Sequence, residues 1–154
     1  MQIKRIAPFE YGLVIKLFDE YRMFYGQSSD ISLAENFIKE RLQNNESVIF
    51  VALADEDSRQ IPVGFTQLYP LISSMRAIKN WVLNDLYVDE VYRKQGIGEA
   101  LINAAIQFSK AGNARFIQLE TAFDNYNAQR LYENIGFKKH EPGSAFFIYR
   151  AGLD

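Results

Sequence analysis

The chain has 154 residues, 48% of them hydrophobic and 23% charged, with a net charge of −2 and no cysteine. Such a chain suits one globular α/β-sized domain with its own core, read here over residues 1–154. No basic excess points to a nucleic-acid partner, and without cysteine there is no disulfide, zinc–thiolate site or catalytic thiol.

The N-terminal MQIKRIAPFEYG lacks the apolar run of a signal peptide. The longest strongly apolar run, VIFVALA, is far short of the ~18 residues that suggest a membrane span. A cytoplasmic protein with no membrane partner is expected. QIKRI alternates and reads as a first strand. Pro8 opens a helical pattern in which Phe9, Leu13, Leu17, Tyr21 and Phe24 make one apolar stripe, ended by Gly26. SSDIS supplies cap residues for a second helix carrying Leu33, Phe37, Ile38, Arg41 and Leu42. SVIFVALA reads as a strand buried on both faces. The polar DEDSRQ then leads into IPVGFTQLY, which suggests a hairpin with a longer loop. Residues 70–80 read as an irregular connection, and NWVLNDLYV as a strand. Ile97, Leu101, Ala104, Ala105 and Phe108 share a helical face that Gly112 stops. ARFIQLET reads as a strand. NYNAQRLYENIGF reads as a short helix with Ala128, Leu131 and Ile135 inward and Gly136 at its C-cap. SAFFIYR reads as a last strand. The order β-α-α-β-β-β-α-β-α-β implies an α/β (α+β) fold on a mixed sheet of about six strands.

YRKQGIGEALINAA sets two glycines and two cations directly before a helix. An ordinary turn is one reading. A dinucleotide loop is another, with Gly96 and Gly98 in place and Glu120 downstream for a ribose. However, Leu101 stands where the third small residue belongs. A nucleotide P-loop is excluded because no G-K-[ST] follows. The third reading is a pyrophosphate cradle, with backbone N–H groups and the helix dipole holding the anion and Arg93 and Lys94 adding charge.

In that third form LNDLYVDEVYRKQGIGEALINAA resembles the acetyl-CoA-binding motif of the GNAT acyltransferases, Q/R-x-x-G-x-G/A, with Arg93, Gln95, Gly96 and Gly98 on the pattern. NAQRLYENIGF, about 30 residues on, is similar to the family's N-x-x-x-x-Y-x-x-x-G-F element. The resemblance spans nearly the whole chain. It implies the GNAT fold, acetyl-CoA as co-substrate and no metal. It implies coenzyme contacts from the backbone of Leu86, Tyr87 and Val88, running beside the pantetheine. Further contacts would come from Arg93, Lys94, Gln95, Gly96, Ile97, Gly98 and Glu99 at the phosphates, from Asn127 at the pantetheine and from Tyr132 near the sulfur. Members of the family often dimerise, so a homodimer is a possible assembly.

Acyl transfer to an amine needs a base for the amine proton, a donor for the oxyanion and a proton for the leaving thiolate. Without cysteine, direct attack is the simpler route. Tyr132 is the candidate acid. Asp85 and Glu120 are both candidate bases. Asp85 sits in an apolar strand, where a carboxylate is costly unless paired or used. Simple alternation puts it on a face with Trp81, Leu83 and Tyr87, and puts Asn84 with Val82, Leu86 and Val88. The family's usual irregularity in this strand leaves the inward residue open. Tyr21, Arg22, Tyr25, Gln67, Tyr69, Trp81 and Asn84 are candidates for the wall of an amine pocket, where aromatic faces favour a cation. His140, the one histidine, reads as surface. The expected acceptor is a primary amine on a small cationic molecule, polyamine-like or other. A protein lysine or N-terminal amine, and a non-catalytic acyl-CoA sensor, are the alternatives.

Overall fold

In the computed structural model, which describes residues 1–141, 147 and 149–152, the apolar run VIFVAL is buried without a break from Val48 to Leu53. Burial on both faces means that the sheet is covered from both sides. Five described strands lie in sequence order: β1 (Gln2–Arg5), β2 (Val48–Glu56), β3 (Arg59–Ser73), β4 (Ile78–Val88) and β5 (Ile117–Gln118). The first four are antiparallel neighbours, and β5 joins β4 in parallel. The helices are α1 (Ile15–Phe24), α2 (Ile31–Gln43), α3 (Ile97–Ala111) and α4 (Tyr126–Ile135). The described chain divides into two compact units, Met1–Glu120 with the sheet and α1 to α3, and Thr121–Asp154 with α4. Among the described residues no helix is long and apolar enough to cross a membrane.

Alternation along the strands separates two cores. Ile49, Val51, Leu53 and Phe65 pack with Val14, Leu17 and Phe18 of the α1 region and Ala34, Ile38 and Leu42 of α2. On the opposite face Phe50 and Trp81 meet Phe108 of α3, with ring centroids 5.8 and 5.2 Å apart. The helix ends follow ordinary capping chemistry. Asp30 accepts from the Leu33 N–H at 2.9 Å to start α2. Gly136 ends α4 at φ 110°, a left-handed residue as expected of a C-cap glycine.

Several local expectations are corrected. The helix starting at Pro8 is a 3₁₀ segment, Pro8–Leu13, and α1 begins only at Ile15. The tighter turn breaks the 3.6-residue stripe, so Phe9 is 82% exposed while Val14 and Phe18 take the core positions. The β2–β3 loop is two residues long. Glu56 pairs with Arg59, and Asp57 and Ser58 sit at φ 45° and 66°, the double left-handed step that suits the twist of a hairpin. Residues 70–80 are not irregular. β3 continues to Ser73, a turn follows, and β4 starts at Ile78 with Pro70 opposite Trp81. ARFIQLET contributes only the two residues of β5. The strand expected over SAFFIYR, residues 144–150, includes 144–146 and 148, which lie outside the described residues, and with it the expected sixth strand lies outside them too.

Candidate active site

The position of Asp85 is decided by one extra residue. β3 and β4 pair Gln67 with Asp85 and then Leu68 with Leu83, so Asn84 has no opposite number and forms a bulge. The bulge resets alternation. Trp81 lies on the α3 face against Phe108, whereas Asp85 and Tyr87 point to the α1/α2 face. The face shared by Asp85, Trp81 and Leu83 in the simple reading therefore does not exist, and Trp81 does not join the other pocket candidates. Asp85 is 4% exposed. Gln67, itself fully buried, donates to its Oδ2 at 2.7 Å, and Asn84 donates to its Oδ1 at 3.1 Å. These bonds offset part of the desolvation cost of the carboxylate.

Asp85 lines a cavity of about 260 Å³. Of the pocket candidates, Tyr21, Tyr69, Asn84 and Arg22 line it and Gln67 and Tyr25 do not; Phe18, Leu33 and Phe37, which sequence reasoning did not select, line it as well. Their helical spacing had marked Leu33 and Phe37 only as core. Burial raises the Tyr21 hydroxyl well above the ordinary tyrosine range, helped by the charge of Asp85 and a hydrogen bond to it. Burial and the Asp85 charge push Tyr69 up to about 12. Both phenols are thus neutral at working pH. Arg22 is held from behind by Asp19, its Nη1 donating to Oδ1 at 3.0 Å. Asp19 is 3% exposed and also accepts from Ser29 Oγ at 2.6 Å and from the Asp30 N–H at 2.9 Å. The Ser29 and Asp30 hydrogen bonds lower its pKa. Tyr25 is mostly exposed and stands edge-on to Tyr21 at 5.0 Å.

Beyond the bulge the sheet opens. β5 pairs with β4 only at Trp81–Ile117 and Val82–Gln118. The β5-side edge of Leu86, Tyr87 and Val88 therefore has no strand partner among the described residues, and an extended ligand arm could add to it. Gly64 keeps this stretch in place. A Cβ there would meet the Tyr87 carbonyl at 2.9 Å and Val88 Cγ2 at 3.3 Å. No motif drew attention to it.

The glycine loop follows. Lys94 has φ 62° and Gly96 φ 78°, so the chain turns twice through left-handed geometry before α3. Nothing lies within 4 Å of a Cβ built on Gly96, which leaves open space beside the first N–H groups of a 15-residue helix. Those groups have no partner within the helix. This arrangement fits a pyrophosphate. Gly98 is the second residue of the helix, and Glu99 is exposed in its first turn. Ile97 is 4% exposed and anchored in the core, so only its backbone faces the loop. Gln95 donates to the Val91 carbonyl at 3.4 Å. Arg93 bends away from the simple role of phosphate cation. Its Nε donates to the Val88 carbonyl at 2.9 Å, and its guanidinium lies 5.7 Å from the Phe24 ring and 5.6 Å from Tyr87. With Glu20, Met23 and Glu90 these residues line a second cavity of about 460 Å³. Lys94 stays exposed.

Glu120 is exposed two residues past β5 and lines neither cavity. Asn127 and Tyr132 belong to α4 in the second unit. Asn127 Oδ1 accepts from Arg130 at 2.6 Å, and the Tyr132 ring lies 6.0 Å from Phe137. His140 is exposed, as read.

Comparison with known proteins bears on this geometry. A family model described as the acetyltransferase (GNAT) family matches residues 14–137. The chain is 38% identical over 139 residues to the uncharacterized N-acetyltransferase YhfO of Bacillus subtilis (strain 168), covering 90% of this chain and 91% of that one. The crystal structure of a probable acetyltransferase superposes with a TM-score of 0.86 at 36% identity, covering 99% of each chain. AAC(6′)-Iy, solved with the bisubstrate analog CoA-S-monomethyl-acetylneamine, shares the fold at a TM-score of 0.75 and 19% identity over 97% of this chain and 98% of that one.

Proposed function

From the premise that this chain belongs to the acetyltransferase (GNAT) family, and is an N-acetyltransferase, we propose that it carries the acetyl group of acetyl-CoA to the primary amine of a small molecule seated against Asp85. The observation that carries this reading is the bulge at Asn84. It turns a buried carboxylate toward a cavity at the point where the neighbouring edge of β4 becomes free.

Acetyl-CoA, when bound, supplies an activated acetyl thioester. The loop from Arg93 to Glu99 and the N-terminus of α3 are suited to hold its phosphates, and the free edge of Leu86 to Val88 to hold its arm. Asp85 takes the proton that keeps an ammonium from attacking, and Gln67 and Asn84 keep its carboxylate aimed. A β4 backbone N–H offers a donor for the oxyanion. Tyr132, by resemblance, returns a proton to the leaving thiolate. Tyr21 and Tyr69, both neutral, serve as walls and hydrogen-bond partners.

The test is thiol release from acetyl-CoA over a panel of amines. Acceptor-dependent release supports the proposal. Coenzyme binding without release for any amine would replace it with a coenzyme sensor.

A further inference from the structure

We infer that the acceptor is a compact monoamine with an apolar alkyl or aryl body, and not a polyamine or other polycation. This rests on the acetyl-transfer reading above and narrows its acceptor. The cavity against Asp85 is about 260 Å³, below the range of pockets that hold drug-sized ligands. Its walls are aromatic and aliphatic. Phe18 stacks on Phe37 at 5.6 Å and 14° and on Tyr21 at 6.2 Å and 21°, and Leu33 and Tyr69 add to the lining. Among the lining residues Asp85 is the one carboxylate.

One ammonium is well provided for here, with a carboxylate to meet it and phenol rings around it. A second ammonium is not. The remaining charge on the lining is Arg22, a cation. The buried Asp19 that neutralises it is already engaged with Arg22, Ser29 and the Asp30 backbone. Glu46, whose charge reaches Tyr69, is taken by Arg41. A polyamine would thus bring a desolvated, unpaired charge against rings or against like charge. An alkyl or aryl group would instead displace water from apolar walls.

The experiment measures kcat/KM by thiol release for phenethylamine and isoamylamine against putrescine, spermidine and kanamycin. Calorimetry on the CoA-loaded protein gives Kd for the same amines independently of turnover. We expect a preference of at least ~10-fold for the apolar monoamines in both measurements. Leu33, half exposed at the lining, provides a variant that should fold. Leu33→Glu adds a carboxylate and should cut phenethylamine kcat/KM at least ~5-fold while raising that of putrescine. Equal or better use of spermidine or kanamycin by the wild type overturns the inference but leaves acetyl transfer standing. So does a Leu33→Glu profile identical to wild type, and failure of the monoamines to bind also overturns it. Selective monoamine binding without thiol release has the opposite meaning: the cavity assignment holds and the acetyl-transfer reading fails.

Discussion

Asp85 is costly to bury, and its cost is only partly met. It accepts from Gln67 and Asn84 and is hydrogen-bonded to the Tyr21 hydroxyl, with no cation paired to it among the described residues. A structural carboxylate in this fold looks different. Asp19 has an arginine, a serine hydroxyl and a backbone amide. The contrast supports the base role proposed for Asp85. Asp85→Asn keeps the shape and removes the base. It is expected to lower kcat by about 10²-fold or more, in the range of a lost general base, with acetyl-CoA affinity by calorimetry unchanged. Unchanged kcat would move the role to another group, with Glu120 next to be tried. Tyr132→Phe should lower kcat at least ~10-fold, again without a change in coenzyme Kd. A Tyr132→Phe enzyme of full activity would leave Tyr132 as a packing residue beside Phe137.

The elements show how such residues come to be placed. β3 approaches β4 so closely at Gly64 that any side chain meets the Tyr87 carbonyl. Gly64→Ala must therefore push β4 outward over the residues whose edge is read as the coenzyme track. A loss of roughly 1–3 kcal/mol in urea unfolding is expected from the overpacking, together with a weaker Kd for acetyl-CoA. Lost stability with an unaltered Kd would show that the edge of β4 does not carry the ligand. The same strand marks the limit of what can be read from letters. The family was legible in the glycine loop and the Asn127–Phe137 element, because both carry particular residues at particular spacings. The resemblance did announce an irregularity in this strand, and the bulge is one, but its position was not legible, because alternation assumes a two-residue period and nothing in NWVLNDLYV marks Asn84 as the residue without a partner. Trp81 was drawn to the wrong face for this reason. The tight turn at Asp57 and Ser58 hid similarly, since left-handed residues there are not glycines. Phe9 looked like core because a 3₁₀ start and an α-helix share their first apolar positions. Asp19 and Gly64 were overlooked because their roles exist only through neighbours distant in sequence or across a strand pair.

At the scale of the molecule, the buried core lies within the first unit, from Ile6 to Ala105 among the described residues. The net charge of −2 is too small for global repulsion to govern stability near neutrality. The pH response should then follow individual groups. On the acid side the Ser29 and Asp30 bonds lower Asp19, and the bond from the Ala7 backbone lowers Glu10. Their contribution is complete above the unfolded carboxylate range and is lost as pH falls through the lowered folded values. On the alkaline side burial raises Tyr21, Tyr69 and Tyr87. Below about pH 10 these phenols are protonated whether the chain is folded or not. Above it the unfolded chain releases protons that the folded one keeps, so stability declines as pH rises toward the folded value of about 12 for Tyr69. Urea midpoints should therefore be level from about pH 5 to 9 and fall on both sides. Tyr69→Phe removes one of the groups responsible. It should lower the plateau little, because the ring remains, and should make the decline between pH 10 and 12 shallower than in wild type. Parallel declines in the two proteins would mean that Tyr69 ionises as freely in the fold as out of it, and that the cavity against Asp85 is wetter than its lining implies.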